Sequence, residues 1–245
     1  MANFKAVFQA SLTNLHFVSG NAGMTSLLPL YLQCGVNILV VDYRGFGRSE
    51  GSPSERGLYI DGETAVQYLH SRADLDQKKI VLFGHSLGGG VTVHLASRSQ
   101  WCKGRIAAVV LENTFTSIPD AAAHIFRSVF PPIAWFPWFC QKNHYDSLSK
   151  IGDIRVPILF IFGEKDEVVG PHMTQRLYEA AGNPRSAIVR IPDGTHNDTW
   201  CSPRYHACVA AFLNKVFDHT LANTPQLERR TSQLIWQQAV EDAYI

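Results

Sequence analysis

Cysteine is scarce in this sequence, and the cysteines present form no recognised pattern. There are five in 245 residues, and no two make a Cys-x-x-Cys pair. The odd number and wide scatter argue against a disulfide framework or a zinc site, so reduced thiols in a cytosol-facing compartment are expected. They are Cys34, Cys102, Cys140, Cys201 and Cys208.

Long apolar runs are also missing. No stretch approaches the roughly 18 uninterrupted apolar residues of a membrane-spanning helix. The longest candidate, Phe130 to Phe139, is shorter and contains three prolines. The segment from Met1 to Thr13 lacks the basic start and the continuous apolar run of a signal peptide. The sequence therefore predicts neither a spanning helix nor a secretion signal.

An excess of charge of either sign is absent as well. Lys and Arg total 22 against 21 Asp and Glu, which leaves a net charge of +1. Such a balance creates no field that would gather phosphates, so nucleic acid is not expected as a partner. Because 46% of the residues are hydrophobic and 18% charged, the composition is that of an ordinary globular protein. A small neutral or amphipathic substrate suits this balanced charge better than nucleic acid does.

Short apolar runs alternate along the chain with longer amphipathic segments. This alternation is typical of βαβ units and a largely parallel sheet. The runs are nearly continuous in Val, Ile, Leu and Phe, which indicates strands buried on both faces. The predicted strands are Leu15–Val18, Asn37–Asp42, Lys79–Phe83, Ile106–Leu111, Ile158–Phe162 and Ala187–Ile191.

Helix signals fall between these strands. The run Ser52 to Glu55 has the form of a capping box, with Ser52 as the cap of a helix that reaches about His70. Another helix is expected to follow Pro171 and to end at Gly182, and a third begins near Pro203.

Two regions interrupt the alternation. The aromatic, proline-interrupted segment from Thr114 to Ile151 is predicted to be a short helical cap inserted beside the sheet, and the chain turns polar from Thr220 onward. We therefore expect a single domain over residues 1–219, with the insertion at about 114–151, followed by a polar tail over 220–245.

The sharpest chemical signal is the pentapeptide that runs from Gly84 to Gly88, with Ser86 at its centre. It lies directly after a predicted strand and before a predicted helix, which is the context of a G-x-S-x-G nucleophile elbow. Such a turn presents the serine hydroxyl and aims the amide of the next residue, Leu87, at a developing oxyanion. Ser86 is therefore the candidate nucleophile.

A serine nucleophile needs a base within reach, and ten histidines are available. His196 lies in a polar turn between the last predicted strand and the last helix, where a parallel sheet presents catalytic groups. His85 adjoins Ser86 and is expected to pack or line the pocket, because neighbours on a tight turn point in different directions. His94, on the following helix, is expected to be structural.

The third member of a triad is a carboxylate that orients the imidazole. Asp166 follows the predicted strand that ends at Phe162, and the chain order Ser, Asp, His is that of α/β-hydrolases. Glu164 and Glu167 are close in sequence but match less well, and Glu112 after the preceding strand is an outside candidate. An exposed acidic turn with no catalytic role is the plain alternative.

The loop after the first predicted strand is expected to supply a second oxyanion donor, and Asn21 is our choice beside Leu87. No cofactor and no metal are predicted. The glycine-rich run from Gly45 to Gly51 misses the dinucleotide spacing by one residue, and the run after Gly84 has no Lys for a phosphate loop. The His, Cys and carboxylate residues show no metal-ligand spacing.

Several motifs in a consistent order resemble those of α/β-hydrolase domain-containing protein 13 and its bud-emergence-type relatives. The resemblance covers about Leu15 to Phe217. It implies an α/β-hydrolase fold, Ser86, Asp166 and His196 as triad, Asn21 and Leu87 as oxyanion donors, and association with a membrane. The motifs are Asn21–Gly23, Asp42–Ser49, Gly84–Gly89, Glu112–Phe115 and Pro192–Asn197. Within the second motif, Asp42 and Arg44 then belong to a strand-end turn that braces the site.

The chain departs from this family pattern in two places. Ser19 stands where the family usually has a His that supports the oxyanion loop. Only the residues up to Asn14 precede the first motif, so the first edge strands of the sheet and a membrane anchor are expected to be missing.

The leading interpretation is a serine hydrolase that cleaves an ester, thioester or amide, with a small-molecule or lipid-like acyl substrate. The aromatic residues between Phe130 and Phe139 would line an acyl pocket, meet a membrane surface peripherally, or simply cover the sheet. A catalytically impaired scaffold is the alternative from another class, and an acyltransferase would use the same residues.

Overall fold

The computed structural model describes residues 3–7, 16–20, 36–129 and 142–221 of the chain. In these ranges a seven-stranded sheet has the order β1-β3-β2-β4-β5-β6-β7, and every neighbouring pair is parallel except β1 with β3. The strands are β1 (Asn3–Val7), β2 (His16–Gly20), β3 (Asn37–Asp42), β4 (Ile80–His85), β5 (Ala108–Glu112), β6 (Ile158–Gly163) and β7 (Ala187–Ile191).

Helices lie between and after these strands, as the alternation of the sequence predicts. They are α1 (Glu55–Ser71), α2 (Leu87–Arg98), α3 (Ile118–Val129), α4 (Leu148–Ile151), α5 (Pro171–Ala181) and α6 (Pro203–Leu221). Short 3₁₀ turns occur at Gln77–Lys79 and Thr199–Cys201. Helix α5 has Pro171 in its first turn, and Gly182, where the sequence predicts its end, follows the last residue as a left-handed cap with a φ of 63°.

The nearly continuous apolar strands feed two cores, one on each face of the sheet. In β4, Leu82 belongs to the core beneath α1, α2 and α5, whereas Phe83 belongs to the core beneath α6. The same alternation in β6 sends Phe160 to the first core and Ile161 to the second. Successive side chains of a strand point to opposite faces, so apolar residues at adjacent positions are all buried. This packing holds the carboxyl ends of the parallel strands at one edge.

Two expectations about local structure are corrected. The cap of α1 is Ser54 and not Ser52: Ser54 has extended backbone (φ −153°, ψ 153°), and its hydroxyl accepts a hydrogen bond from Gly57 N. Both serines suit a cap by residue type, but only Ser54 adjoins the first helical turn. The edge of the sheet is not bare either, because β1 pairs antiparallel with β3 from Asn3–Asp42 to Val7–Ile38.

Two predicted regions lie partly outside the described residues. Helices α3 and α4 fall within the segment predicted as an insertion, 114–151, but its residues 130–141, which include the aromatic run, are not described. The same holds for residues 222–245 of the predicted tail. The domain boundaries therefore stay a prediction.

Candidate active site

Ser86 occupies a sharp turn between the end of β4 and the start of α2. Its backbone has φ 51° and ψ −117°, a strained conformation for a residue other than glycine. The Ser86 N–H donates to Glu112 O at 3.0 Å, and the Thr114 hydroxyl donates to Ser86 O at 2.9 Å. These bonds join the turn to the end of the neighbouring strand β5. The strain is thus maintained by surrounding contacts.

A glycine before the turn lets α2 begin close to β4. A Cβ atom on Gly84 would lie 2.6 Å from both the carbonyl oxygen of Gly88 and the hydroxyl oxygen of Thr92. No side chain fits there without moving backbone. The G-x-S-x-G pattern therefore has a steric cause in this structure.

His196 bridges the serine and the predicted acid. Its Nε2 atom lies 2.9 Å from Ser86 Oγ, and its Nδ1 atom lies 2.8 Å from Asp166 Oδ2. An ionised carboxylate can only accept, so Nδ1 carries the proton toward Asp166 and Nε2 is free to accept the serine proton. The side chains are 11% exposed for His196 and 1% for Asp166, which shields this hydrogen bond from water.

Asp166 is held by its own loop as well as by the histidine. Its Oδ1 atom accepts from the backbone N–H groups of Val168 and Val169, at 2.9 and 2.8 Å. This arrangement leaves Oδ2 directed at His196. The carboxylate is thus oriented on both oxygens before any substrate is present.

The other acidic candidates point elsewhere. Glu164 pairs with Arg190 at 3.2 Å on the surface, and Glu167 is exposed. Glu112 is buried, but its carboxylate accepts from the hydroxyls of Thr199 and of Tyr205, the latter at 2.7 Å.

Two further histidines, His94 and His85, pack against other rings. The ring of His94 stacks on Tyr59 at 3.5 Å between centroids, and burial lowers the pKa of His94 to about 4. His85 lies beside His196, with ring centroids 5.0 Å apart, and its Nε2 atom is 2.7 Å from the carbonyl oxygen of His196. Among these three histidines of the described residues, it is His196 that forms a hydrogen bond with Ser86 Oγ.

The structure describes one of the two predicted oxyanion donors, Leu87. Leu87 is the first residue of α2, so its N–H is one of the four that a helix leaves without an acceptor of its own. Asn21 lies outside the described residues. The backbone of Ser19 lies in β2, where it pairs with Val40 of β3 and Phe83 of β4.

The strand-end turn after β3 is tied to α1. Arg44 donates to both carboxylate oxygens of buried Asp61, with the shortest distance 2.8 Å from Nη2. Asp42 accepts from the Arg48 N–H at 3.2 Å, and the Ser49 hydroxyl donates to Asp42 O at 2.6 Å. Asp42 and Arg44 thus belong to a strand-end turn that is anchored to α1, and its bracing of the site stays a prediction.

The described residues contain neither a cluster of metal ligands nor a helix that could span a membrane. Across ranges 3–7, 16–20, 36–129 and 142–221, no three His, Cys, Asp or Glu side chains are grouped to bind a metal ion. None of the helices in those ranges is both long and apolar enough to cross a bilayer. Three of the cysteines are described, and all are free thiols: Cys102, Cys201 and Cys208.

One residue of this site lies in the motif Glu112–Phe115, but the sequence predicted no role for it. Asn113 has a φ of 45° and is 1% exposed, and its side-chain amide donates to the carbonyl oxygens of Thr195 and His196. Its position directly after β5 and its tolerance of left-handed backbone were the available signals. Its partners, more than 80 positions away in sequence, were not predictable.

Comparison with known proteins agrees with the fold. Residues 15–143 match the family described as alpha/beta hydrolase fold. Protein bem46 of Schizosaccharomyces pombe is 37% identical over 208 residues, which cover 82% of this chain and 67% of bem46. The alpha/beta hydrolase domain-containing protein WAV2 of Arabidopsis thaliana is 35% identical, over 76% of this chain and 64% of WAV2. The chain thus spans about two thirds of the length of these relatives.

Solved structures with low sequence identity share the same architecture. The esterase Pf2001 of Pyrococcus furiosus superposes with a TM-score of 0.69 at 18% identity, over 87% of this chain and 91% of the esterase. Acetyl xylan esterase 1 from Thermoanaerobacterium gives a TM-score of 0.63 at 18% identity, over 88% of this chain and 79% of that enzyme. With the matched family and these relatives, the chain belongs to the α/β-hydrolase fold family.

Proposed function

We propose that this protein is a serine hydrolase that cleaves an ester, thioester or amide through an acyl-serine intermediate. The observation that carries the proposal is the unbroken series of hydrogen bonds from Ser86 Oγ through His196 to buried Asp166. Each distance is short enough for proton transfer without rearrangement.

In the acylation step, His196 Nε2 takes the Ser86 proton while Oγ attacks the carbonyl carbon of the substrate. The oxyanion that forms would accept hydrogen bonds from the N–H groups of Leu87 and Asn21. Asp166 stabilises the imidazolium, which then gives its proton to the leaving group as the carbonyl–leaving group bond breaks. Ser86 is left as an acyl ester.

In deacylation, His196 removes a proton from water, and the hydroxide oxygen attacks the acyl carbon. Collapse of the second tetrahedral intermediate breaks the bond to Oγ, and the proton on His196 returns to Ser86. The products are the carboxylic acid and free enzyme. No cofactor or metal ion is required.

Ester substrates are the class with the most support. The structurally similar proteins above carry the name esterase, and the family is that of α/β-hydrolases. The predicted acyl pocket and the peripheral membrane contact both depend on the aromatic run 130–139, which lies outside the described residues. A lipid-like acyl group therefore stays part of the proposal.

The scaffold alternative has less support. It rested on the substituted Ser19 and on the sheet's expected loss of edge strands, but β1 is present. The distance of 2.9 Å between Ser86 Oγ and His196 Nε2 and the strained φ of Ser86 are features of a working nucleophile, and a binding scaffold has no use for them. Acyl transfer to another acceptor uses the same steps up to the acyl-serine.

Labelling with a fluorophosphonate probe, which reacts with activated serines, tests the proposal. The wild type should be labelled, Ser86→Ala should not be, and Asp166→Asn should be labelled far more slowly. Ser71→Ala is the matched control, because Ser71 is an exposed serine at the end of α1. A folded wild type that resists the probe would contradict the proposal, as would equal labelling of Ser86→Ala.

A further inference from the structure

Two side-chain donors converge on the backbone of the proposed base. The carbonyl oxygen of His196 lies 2.7 Å from His85 Nε2 and 2.9 Å from Asn113 Nδ2. Asn113 Nδ2 also lies 3.1 Å from the carbonyl oxygen of Thr195. The two consecutive peptide groups that flank the Cα atom of His196 are therefore both anchored, at the point where the imidazole leaves the backbone.

The hydrogens on these donors are assigned by their partners. A carbonyl oxygen only accepts, so His85 Nε2 must carry a proton. The amide of Asn113 has one orientation that satisfies both ends, because its Oδ1 accepts from Gly163 N at 2.9 Å while Nδ2 donates to the loop. An amide flipped by 180° would place Nδ2 against an N–H group.

The Asn113 side chain joins the ends of two strands to the loop that carries His196, residues 192–198, which we call the base loop. It follows β5 directly, its backbone N–H donates to Ile161 O at 3.0 Å, and Gly163 is the last residue of β6. A side chain on Gly163 would overlap the carbonyl oxygen of Gly194, so the end of β6 and the base loop pack backbone to backbone. The left-handed φ of 45° at Asn113 costs energy that these bonds offset.

The residue before Asn113 connects to the nucleophile and to the far side of the base loop. Glu112 O accepts from Ser86 N, and the Glu112 carboxylate accepts from Thr199 and Tyr205. Consecutive residues at the end of β5 thus hold the backbones of Ser86 and His196. His85, the cross-strand partner of Glu112, adds the second donor to His196.

We propose that Asn113 and His85 are positioning residues, which hold the His196 backbone so that the imidazole reaches Ser86 and Asp166 together. This inference rests on the proposed function. Neither side chain is placed to touch the reacting atoms; each acts through the carbonyl oxygen of His196. The physical reason is geometric tolerance, since a displacement of about 1 Å in a catalytic group can lower the rate roughly 100-fold.

Substitutions that keep shape but change the donor isolate this role. Asn113→Asp retains an acceptor for Gly163 N and the tolerance of left-handed backbone. Its carboxylate cannot donate to the carbonyl oxygens of Thr195 and His196, so both hydrogen bonds to the base loop are lost. We expect kcat to fall by about 10- to 100-fold on a soluble acyl ester, with KM changed by less than about threefold.

Two further variants change His85. His85→Leu removes the donor, and kcat should fall by about tenfold. His85→Gln, which offers an N–H near the place of Nε2, should restore kcat to within about threefold of the wild type.

Asn183→Asp is the matched control for Asn113→Asp. Asn183 Nδ2 also donates to two backbone carbonyl oxygens, of Arg155 and Val156, each at 3.0 Å, and its Oδ1 accepts from Arg185 N at 3.0 Å. These bonds lie at the amino end of β6, away from the proposed site. We expect unchanged kcat in this variant.

A second readout is the ¹H NMR signal of the proton between His196 Nδ1 and Asp166. The inference predicts a downfield signal in the wild type that shifts or exchanges rapidly in Asn113→Asp and His85→Leu, and that persists in Asn183→Asp and His85→Gln. If the wild type is active but the Asn113 and His85 variants keep its kcat and signal, the inference fails and the proposed function stands. If the wild type lacks activity, the proposed function fails, and the signal alone then supports or overturns the positioning role.

Discussion

Two buried carboxylates lie at the ends of neighbouring strands, and only one of them meets a histidine. Glu112 is the last residue of β5, and Asp166 lies three positions beyond β6. Both residues are at most 4% exposed. Glu112 accepts from two hydroxyls, whereas Asp166 accepts from His196 and two backbone N–H groups. Burial of an acidic group alone thus does not identify the one that pairs with the proposed base.

The difference follows from where each residue stands relative to its strand. Glu112 is still within the pleat, and alternation along β5 directs it to the same face as Val110, where Tyr205 and α6 pack. Asp166 is past the end of its strand, so its loop can turn the carboxylate toward His196. Polar groups in a loop beyond a parallel strand are the ones free to serve chemistry.

The largest expected difference between the two carboxylates appears in kcat when each is exchanged for its amide. In Asp166→Asn, Oδ1 would still accept the two N–H groups, and the amide nitrogen would face His196. The ring would then carry its proton on Nε2 and could not accept that of Ser86, so kcat should fall by about 10⁴-fold. Glu112→Gln should keep kcat within about tenfold. Steady-state hydrolysis of a soluble ester measures both.

An equal loss of kcat in the two variants would remove the distinction between the carboxylates. Circular dichroism of both proteins provides the control, since each must be folded for the rates to be compared.

Deleting the structural carboxylate should mainly change stability. Glu112→Ala leaves the buried hydroxyls of Thr199 and Tyr205 without an acceptor, and we expect the free energy of unfolding to fall by about 2–5 kcal/mol. Denaturant titration measures the change. A loss below about 1 kcal/mol would contradict the structural role.

His94 extends the comparison to a half-buried titratable group whose ring stacks on Tyr59. Burial lowers its pKa to about 4, below the ordinary value of 6.5. The unfolded chain therefore binds a proton before the folded one does, so stability from this residue is present above pH 6.5 and lost as the pH falls toward 4.

The variant His94→Phe checks this dependence. It keeps a flat ring to stack on Tyr59 but cannot titrate. The unfolding free energy of the variant should decline less steeply than that of the wild type between pH 6.5 and 4. Parallel declines measured by denaturant titration would count against the account of His94.

The smallest effect is expected beside Asp166, at the surface. Lys165 pairs with Asp193 at 2.7 Å, but their side chains are 62% and 90% exposed. Water and salt screen such a pair, so Lys165→Gln should leave both the melting temperature and kcat unchanged within error. A clear loss of either would show that the loop depends on this contact.

Local patterns predicted much of the fold and the principal residues of the site. Apolar runs located six strands to within about two residues, and the strand–turn–helix context pointed to Ser86. The order of motifs pointed to Asp166 and His196, which the structure brings within hydrogen-bond distance of one another and of Ser86.

The remaining features depend on contacts between distant segments. Asn113 bonds to residues 50 and 83 positions away, and no periodicity in the sequence carries that information. The antiparallel strand β1 was not predicted, because its place at the sheet edge is defined by pairing with β3. Ser52 and Ser54 are equally good caps by type, and only the backbone distinguishes them.

The central claim is that Ser86 becomes acylated during turnover. Acid quenching of the protein within milliseconds of mixing with p-nitrophenyl acetate, followed by peptide mass spectrometry, tests it most directly. The account predicts one acetyl group per protein on the peptide that contains Ser86, and none in Ser86→Ala or His196→Gln. Turnover of the ester with no acetyl group on Ser86, or with the group on another residue, would contradict it.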